Sequence, residues 1–117
     1  MQVVHAADSS DEVMIVRLLG DLDLSSVPTL RSTGITLLAD GWNSVVVDLA
    51  GVEFLDSAGI GVLIGLRRRC LLADGECVLA EPSDGIRRLL ETSEVDRLFR
   101  VFDTAERATS SLRGART

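Results

Sequence analysis

The chain has 117 residues, 46% hydrophobic and only 3% aromatic, which suffices for one domain with an aliphatic core and no disulfides or metals. Its formal net charge of −6 excludes sequence-independent nucleic-acid binding, which requires a basic surface. The longest apolar run, residues 58–66, is far shorter than the ~20 residues that span a bilayer, so no membrane segment is predicted.

The first third of the chain predicts a hairpin followed by a helix. Residues 1–12 are polar and aperiodic and are expected to form a flexible lead-in. Residues 13–19 (VMIVRLL) read as a strand, Gly20 permits a turn, and residues 21–24 suit a short second strand paired with the first. Ser25 or Ser26 can then cap a helix that has Pro28 near its start and ends near Gly41.

Strands and helices alternate in the remainder. Residues 44–49 (SVVVDL) predict a central strand covered on both faces, and a glycine-bearing helix follows at residues 57–73 after a short loop. A strand at 76–80, a helix from Pro82-Ser83-Asp84 to Leu90 and a strand at 100–102 come next. Asp103 and Glu106 suit an acid-first capping box for a final helix. We therefore expect an α/β domain at residues 13–109, with a mixed, mostly parallel sheet of five strands and four helices, and a polar tail at 110–117.

The stretch FLDSAGIGVLIG, residues 54–65, is the most informative part of the sequence. One face of its helix collects a core stripe: Gly59, Ile60, Leu63, Ile64, Leu66, Cys70 and Leu71. The other face collects Ser57, Ala58, Gly61, Gly65, Arg68 and Arg69, so its first two turns carry almost no side chains. Each interior glycine costs a helix about 1 kcal/mol relative to alanine. Gly61 and Gly65 therefore indicate either close packing inside the domain or a flat surface on which a partner docks.

Asp56 and Ser57 also have two interpretations. Either residue could serve as the helix N-cap and satisfy free backbone N–H groups. A hydroxyl at the start of a helix is also accessible to a kinase, and the helix N-terminus would tolerate the resulting phosphate. The two roles are compatible.

Catalysis is not expected. The nucleophile elbow requires glycine where Leu55 stands, His5 is the single histidine, and a phosphate-binding P-loop needs lysine, which the chain lacks. Asp48 resembles the phospho-acceptor of a response regulator, but the accompanying acidic pair and lysine are missing, so it is interpreted as a strand-end residue. No metal site or cofactor site is predicted. Cys70 and Cys77 lie in apolar contexts, and without a signal peptide we expect reduced, buried thiols in a cytoplasmic protein.

Three segments in this order carry a family resemblance: Gly20-Asp21-Leu22-Asp23, residues 45–49 (VVVDL) and residues 52–63 (VEFLDSAGIGVL). From residue 13 to residue 108 the chain resembles the STAS-domain anti-sigma factor antagonists. The resemblance implies that Ser57 is phosphorylated by an anti-sigma factor that is itself a serine kinase. It also implies that the unphosphorylated form binds this kinase and frees the sigma factor, and that a serine phosphatase removes the phosphate.

The resemblance places Asp23 near the partner contact, and Ala58 departs from the family, where many members have a second serine. The predicted partner-binding residues are Asp23, Asp56, Ser57, Ala58, Gly61 and Gly65. An alternative is a STAS binding or scaffold module that is not phosphorylated and senses a small ligand or nucleotide. The sequence leaves open whether the protein forms a homodimer.

Overall fold

The computed structural model describes residues 1–114, which form a five-stranded sheet with helices on both faces. The strands lie in the order β1 (Gln2–Ala7), β2 (Met14–Leu22), β3 (Ser44–Leu55), β4 (Glu76–Ala80) and β5 (Val101–Phe102). β1 pairs antiparallel with β2, and the other neighbours are parallel. The helices are α1 (Val27–Ala39), α2 (Ser57–Leu72), α3 (Asp84–Thr92) and α4 (Ala105–Leu112), with 3-10 turns at Leu24–Ser26 and Val95–Arg97. The predicted fold class is confirmed.

The buried strand β3 divides the hydrophobic core into two layers. Val45 and Val47 point to the larger layer, which α1, α2 and α3 cover, whereas Val46 points to a smaller layer beneath α4. Alternation of side chains along a strand explains why consecutive valines serve opposite faces. The expectation of a central strand covered on both faces is therefore confirmed. Cys70 and Cys77 are free thiols buried in the larger layer, as expected.

The predicted lead-in and hairpin are wrong in position. Gln2–Ala7 form the edge strand β1, and the hairpin is β1–β2, while residues 21 and 22 simply continue β2. β1 is exposed along nearly its whole length, so its side chains lack the apolar alternation that predicts a strand. Backbone hydrogen bonds to β2 hold β1 in place, and such bonds cannot be predicted from side-chain patterns in the sequence.

β3 extends six residues beyond its predicted end at Leu49 and reaches Leu55. Its pairing with β2 shifts register twice, between Arg17 and Leu19 and again between Gly20 and Leu22. At each shift β3 contains one residue more than β2, which is the pattern of a β-bulge. The expected loop before α2 is thus a bulged strand end, followed by Asp56 alone.

The final helix begins one residue later than predicted. Thr104 is its N-cap and accepts a hydrogen bond from the Arg107 amide at 3.1 Å, whereas the Asp103 carboxylate pairs with Arg87. Residues 110–112, assigned to the polar tail, continue α4, with Leu112 buried. The end of the predicted tail, residues 115–117, lies outside the described residues.

Candidate functional site

The site is built where two parallel strands end side by side. Leu22 at the end of β2 is the register partner of Leu55 at the end of β3. The next residues are Asp23 and Asp56, and the Asp56 amide donates a hydrogen bond to the Leu22 carbonyl at 3.3 Å. Strand pairing therefore brings to one edge of the sheet two acidic residues that are 33 positions apart in the chain.

Asp56 is the residue that caps α2. Its Oδ1 accepts a hydrogen bond from the Gly59 amide at 2.9 Å, and its backbone is extended, as an N-cap requires. Ser57 is the first residue of the helix. Its side chain is exposed, and within residues 1–114 its hydroxyl makes no hydrogen bond. Of the two candidates for the cap, the structure selects Asp56 and leaves the Ser57 hydroxyl unengaged.

Asp23 has a matching role at the end of β2, where it caps the 3-10 turn Leu24–Ser26. Its Oδ1 accepts hydrogen bonds from the Ser25 amide at 3.0 Å and from the Ser25 hydroxyl at 2.5 Å. The side-chain hydrogen bond from Ser25 is the main cause that lowers the pKa of Asp23 below its ordinary value. Asp23 thus presents a fixed negative charge at neutral pH.

The three glycines of α2 have different surroundings. A Cβ atom at Gly59 would stand 2.2 Å from the Leu22 carbonyl oxygen, so this glycine is needed for close packing of α2 on β2. A Cβ atom at Gly61 or Gly65 would meet nothing within 4 Å. Close packing inside the domain therefore explains Gly59, and it does not explain Gly61 or Gly65.

The buried stripe of α2 is rotated slightly from its predicted position. Val62 is buried, whereas Ile64 and Leu71 of the predicted core stripe are exposed. The rotation follows from the contact of α2 with α1 on one side as well as with the sheet beneath it. On the predicted open face Ala58 and Gly65 are half-buried, and Ser57 and Gly61 are exposed.

Two exposed apolar side chains at the same edge escaped the sequence analysis. Leu24, in the 3-10 turn after Asp23, is 72% exposed, and Phe54, near the end of β3, is 49% exposed. The turn that holds Leu24 contacts α2. Leu24 was assigned to a strand, where an apolar residue after an acid is unremarkable, and no sequence signal marks it as exposed.

Asp48, set aside above as a phospho-acceptor, lies inside β3 and is buried. Its Oδ2 pairs with Arg17 Nε at 3.2 Å, and its Oδ1 accepts a hydrogen bond from the Ala50 amide. It bonds to nearby backbone, but the prediction of a strand-end residue is wrong, because β3 continues beyond it to Leu55. Residues 1–114 contain no group of three metal-ligating side chains. None of the helices in this part of the chain has the length and apolar character that crossing a membrane requires.

Comparison with known proteins gives a consistent result. The STAS domain family model matches residues 5–108. An anti-sigma-B factor antagonist from Staphylococcus aureus is 30% identical over 98 residues, which cover 84% of this chain and 91% of that protein.

Two solved structures share the fold. The unphosphorylated form of the anti-sigma factor antagonist SpoIIAA has a TM-score of 0.81 and 24% identity, covering 97% of each chain. The phosphorylated form of SpoIIAA, a Bacillus cell fate determinant, has a TM-score of 0.72 and 24% identity, covering 96% of this chain and all of that one. The chain belongs to the STAS domain family.

Proposed function

We propose that this protein is an anti-sigma factor antagonist whose unphosphorylated form binds an anti-sigma factor with serine kinase activity and so releases a sigma factor. Phosphorylation of Ser57 by that kinase ends the binding, and a serine phosphatase restores it. The Staphylococcus aureus relative carries the name of an anti-sigma-B factor antagonist. A protein of the same fold has been solved in unphosphorylated and phosphorylated forms.

The single observation that supports the switch is the state of the Ser57 hydroxyl. It is exposed at the first position of a 16-residue helix, and Asp56 already provides the cap. A kinase could therefore modify Ser57 without removing a hydrogen bond that the fold needs. The positive end of the helix dipole favours a phosphate at this position. We expect the modified domain to stay folded.

The partner interface would respond differently from the fold. A phosphate adds about −1.5 to −2 charges at neutral pH. This charge would stand beside Asp56 and on the same sheet edge as Asp23, and partner binding would have to desolvate it next to like charges. A loss of about 3 kcal/mol weakens binding more than a hundredfold, since each 1.4 kcal/mol is a factor of ten. The switch thus needs only local electrostatics.

The test compares two substitutions at one position. Ser57→Ala should bind the anti-sigma factor constitutively, also in the presence of ATP. Ser57→Asp should bind about a hundredfold more weakly, with an unchanged or slightly raised melting temperature, because an acid at a helix N-terminus is favourable. Isothermal titration calorimetry against the kinase captured with the Ser57→Ala variant measures both affinities.

Ser110→Asp is the matched control. Ser110 is also an exposed helical serine, but α4 lies on the opposite face of the sheet, so this charge should leave binding unchanged. Equal affinities for Ser57→Ala and Ser57→Asp would refute the switch. Incubation of the wild type with that kinase and ATP, followed by intact mass, should show one phosphate located on Ser57. If no phosphate were found on Ser57, the alternative function, a STAS binding module that is not phosphorylated, would be favoured.

A further inference from the structure

A groove of about 310 Å³ runs between α1 and α2. Its floor combines apolar side chains from both helices, among them Leu30, Val62 and Leu66, with the bare backbone at Gly61 and Gly65. Because nothing stands within 4 Å of a Cβ atom at either glycine, the groove is open above them. A peptide segment that binds in the groove can therefore approach the axis of α2 closely.

A second part of the same groove extends toward the end of α2. It also measures about 310 Å³ and shares Arg69 and Leu72 with the first part, to which it adds Ile35 and Leu38 from α1. Leu72 is 78% exposed, the highest value of any exposed large hydrophobic residue in residues 1–114. From Gly61 to Leu72 the groove follows α2 for about 17 Å, at 1.5 Å per residue.

The charge around the groove is opposite to that of the molecule. Its lining includes Arg31, Arg68 and Arg69 and no carboxylate, although the chain carries a net charge of −6. Within residues 1–114 none of these three arginines forms a salt bridge, which is also true of Arg88, Arg100 and Arg107, but the groove is where such arginines border an apolar floor. Cations without partners beside an apolar floor indicate an occupant that supplies carboxylates.

We infer that the groove between α1 and α2 binds an acidic amphipathic helix of the partner protein. The apolar face of that helix would lie on the accessible side chains Ile35, Leu38 and Leu72, and carboxylates along its flanks would meet the arginines. A trough between two helices accommodates a third helix, and recognition of an amphipathic helix in a groove is a recurring mode of binding. This inference rests on the proposed function in one respect, since Gly61 and Gly65 belong both to the groove and to the docking surface beside Ser57.

The test uses two synthetic peptides and does not involve Ser57. Each has about 14 residues, with leucines at helical spacing; one carries glutamates on the flanks and the other carries glutamines. Fluorescence anisotropy at low salt should show that the glutamate peptide binds the full chain at least about tenfold more tightly, and that added salt reduces the difference. NMR amide shifts should concentrate at Gly61 and Gly65 and at Gly34, which lines the groove from α1.

A pair of double variants assigns the charge selectivity to the groove. Arg68→Gln with Arg69→Gln should strongly reduce the preference for the glutamate peptide, because it leaves only Arg31 in the groove. Arg88→Gln with Arg107→Gln changes the net charge equally at exposed arginines outside the groove and should leave the preference intact. Melting temperatures confirm that all variants are folded.

Three results would overturn the inference: no saturable binding of the glutamate peptide, equal affinity for both peptides, or equal effects of the two double variants. These failures are separate from a failure of the proposed switch. Phosphate transfer to Ser57 without peptide binding refutes only the groove, and peptide binding without phosphate transfer refutes only the switch.

Discussion

Two glycines of α2 stand two positions apart and have opposite roles at the level of the single residue. Gly59 faces the Leu22 carbonyl and lets α2 lie directly against the end of β2. Gly61 faces open space at the head of the groove. Because both are helical glycines, they carry the same cost in helix propensity, and only their surroundings distinguish them.

The same substitution should therefore have opposite effects at the two positions. Gly59→Ala should lower the free energy of unfolding by about 1–3 kcal/mol, since the new methyl group meets a backbone atom that cannot rotate away. Gly61→Ala should raise it by about 0.5–1 kcal/mol through helix propensity alone. Urea unfolding of the two variants measures both changes. A destabilised Gly61→Ala would mean that the open space at this position is absent in solution.

The sequence predicts the residues of the site better than their individual roles. The order of acid, serine and glycines identifies Asp56, Ser57 and Gly61 as a group, and the structure brings them together on the first turns of α2. Asp and Ser are equally suited to an N-cap, so residue type does not decide which of Asp56 and Ser57 caps the helix. The backbone angles decide it, and they are known only from the structure. The exposure of Leu24 could not be predicted from the sequence for a similar reason, because it results from the 3-10 turn that follows β2.

At the level of the element, the two faces of α2 differ: one packs into the core and the other is open. Leu63, Leu66 and Cys70 pack into the core, whereas Gly61 and Gly65 present bare backbone beside the exposed Ser57. A helix of ordinary composition would cover this surface with side chains. The proposed docking surface therefore depends on the absence of side chains at these two glycines, and a large side chain there should block it.

Gly61→Gln should weaken binding of the anti-sigma factor at least about tenfold, because a long side chain would occupy the docking surface, while the fold keeps or gains stability. Gly85→Gln is the matched control, since Gly85 is also an exposed glycine in a helix with nothing within 4 Å of its Cβ position. Calorimetric titration and thermal melts of both variants check this. Equal affinity of the two variants would show that the partner binds elsewhere.

Element boundaries were predicted best where buried side chains follow a regular pattern along the chain. The valines of β3 predict a strand because both faces are covered, and α1 ends beside Gly41 as expected. β1 is exposed, and the bulged end of β3 alternates irregularly, so neither follows a pattern of period two. Pairing with a neighbouring strand defines both segments, and that is a property of the tertiary structure.

At the level of the whole molecule, one buried carboxylate ties the two ends of the domain together. Asp8, in the turn after β1, accepts a hydrogen bond from Arg113 Nε at 2.8 Å, just beyond α4. Burial alone would raise the pKa of Asp8. Hydrogen bonds from the Ser10 hydroxyl, from Arg113 and from the Val13 and Glu12 amides outweigh burial, so the pKa lies well below its ordinary value.

The sign of this shift predicts how stability depends on pH. Because the pKa of Asp8 is lower in the folded than in the unfolded state, its contribution is full above about pH 5 and is lost as the pH falls. Asp8→Asn should lower the free energy of unfolding at pH 7 by about 1–3 kcal/mol, and the deficit should shrink between about pH 5 and pH 2. Chemical unfolding across this range measures the deficit.

Asp40→Asn serves as the control, since Asp40 is exposed and its side chain makes no hydrogen bond within residues 1–114. Its free energy of unfolding at pH 7 should lie within about 0.5 kcal/mol of the wild-type value. A deficit of Asp8→Asn that grows in acid would contradict the assigned shift.

Because of the two bulges of β3, the position of the predicted site residues depends on the number of residues in this strand. Each adds one residue to β3 relative to β2, and together they determine that Leu55 pairs with Leu22 where the two strands end. Removing a single residue between Asp48 and Asp56 would shift Asp56 out of register with Leu22, whose carbonyl accepts the Asp56 amide, without substituting any predicted site residue. A deletion in β3 of this protein should therefore disturb the arrangement of these residues more than most substitutions in the same strand.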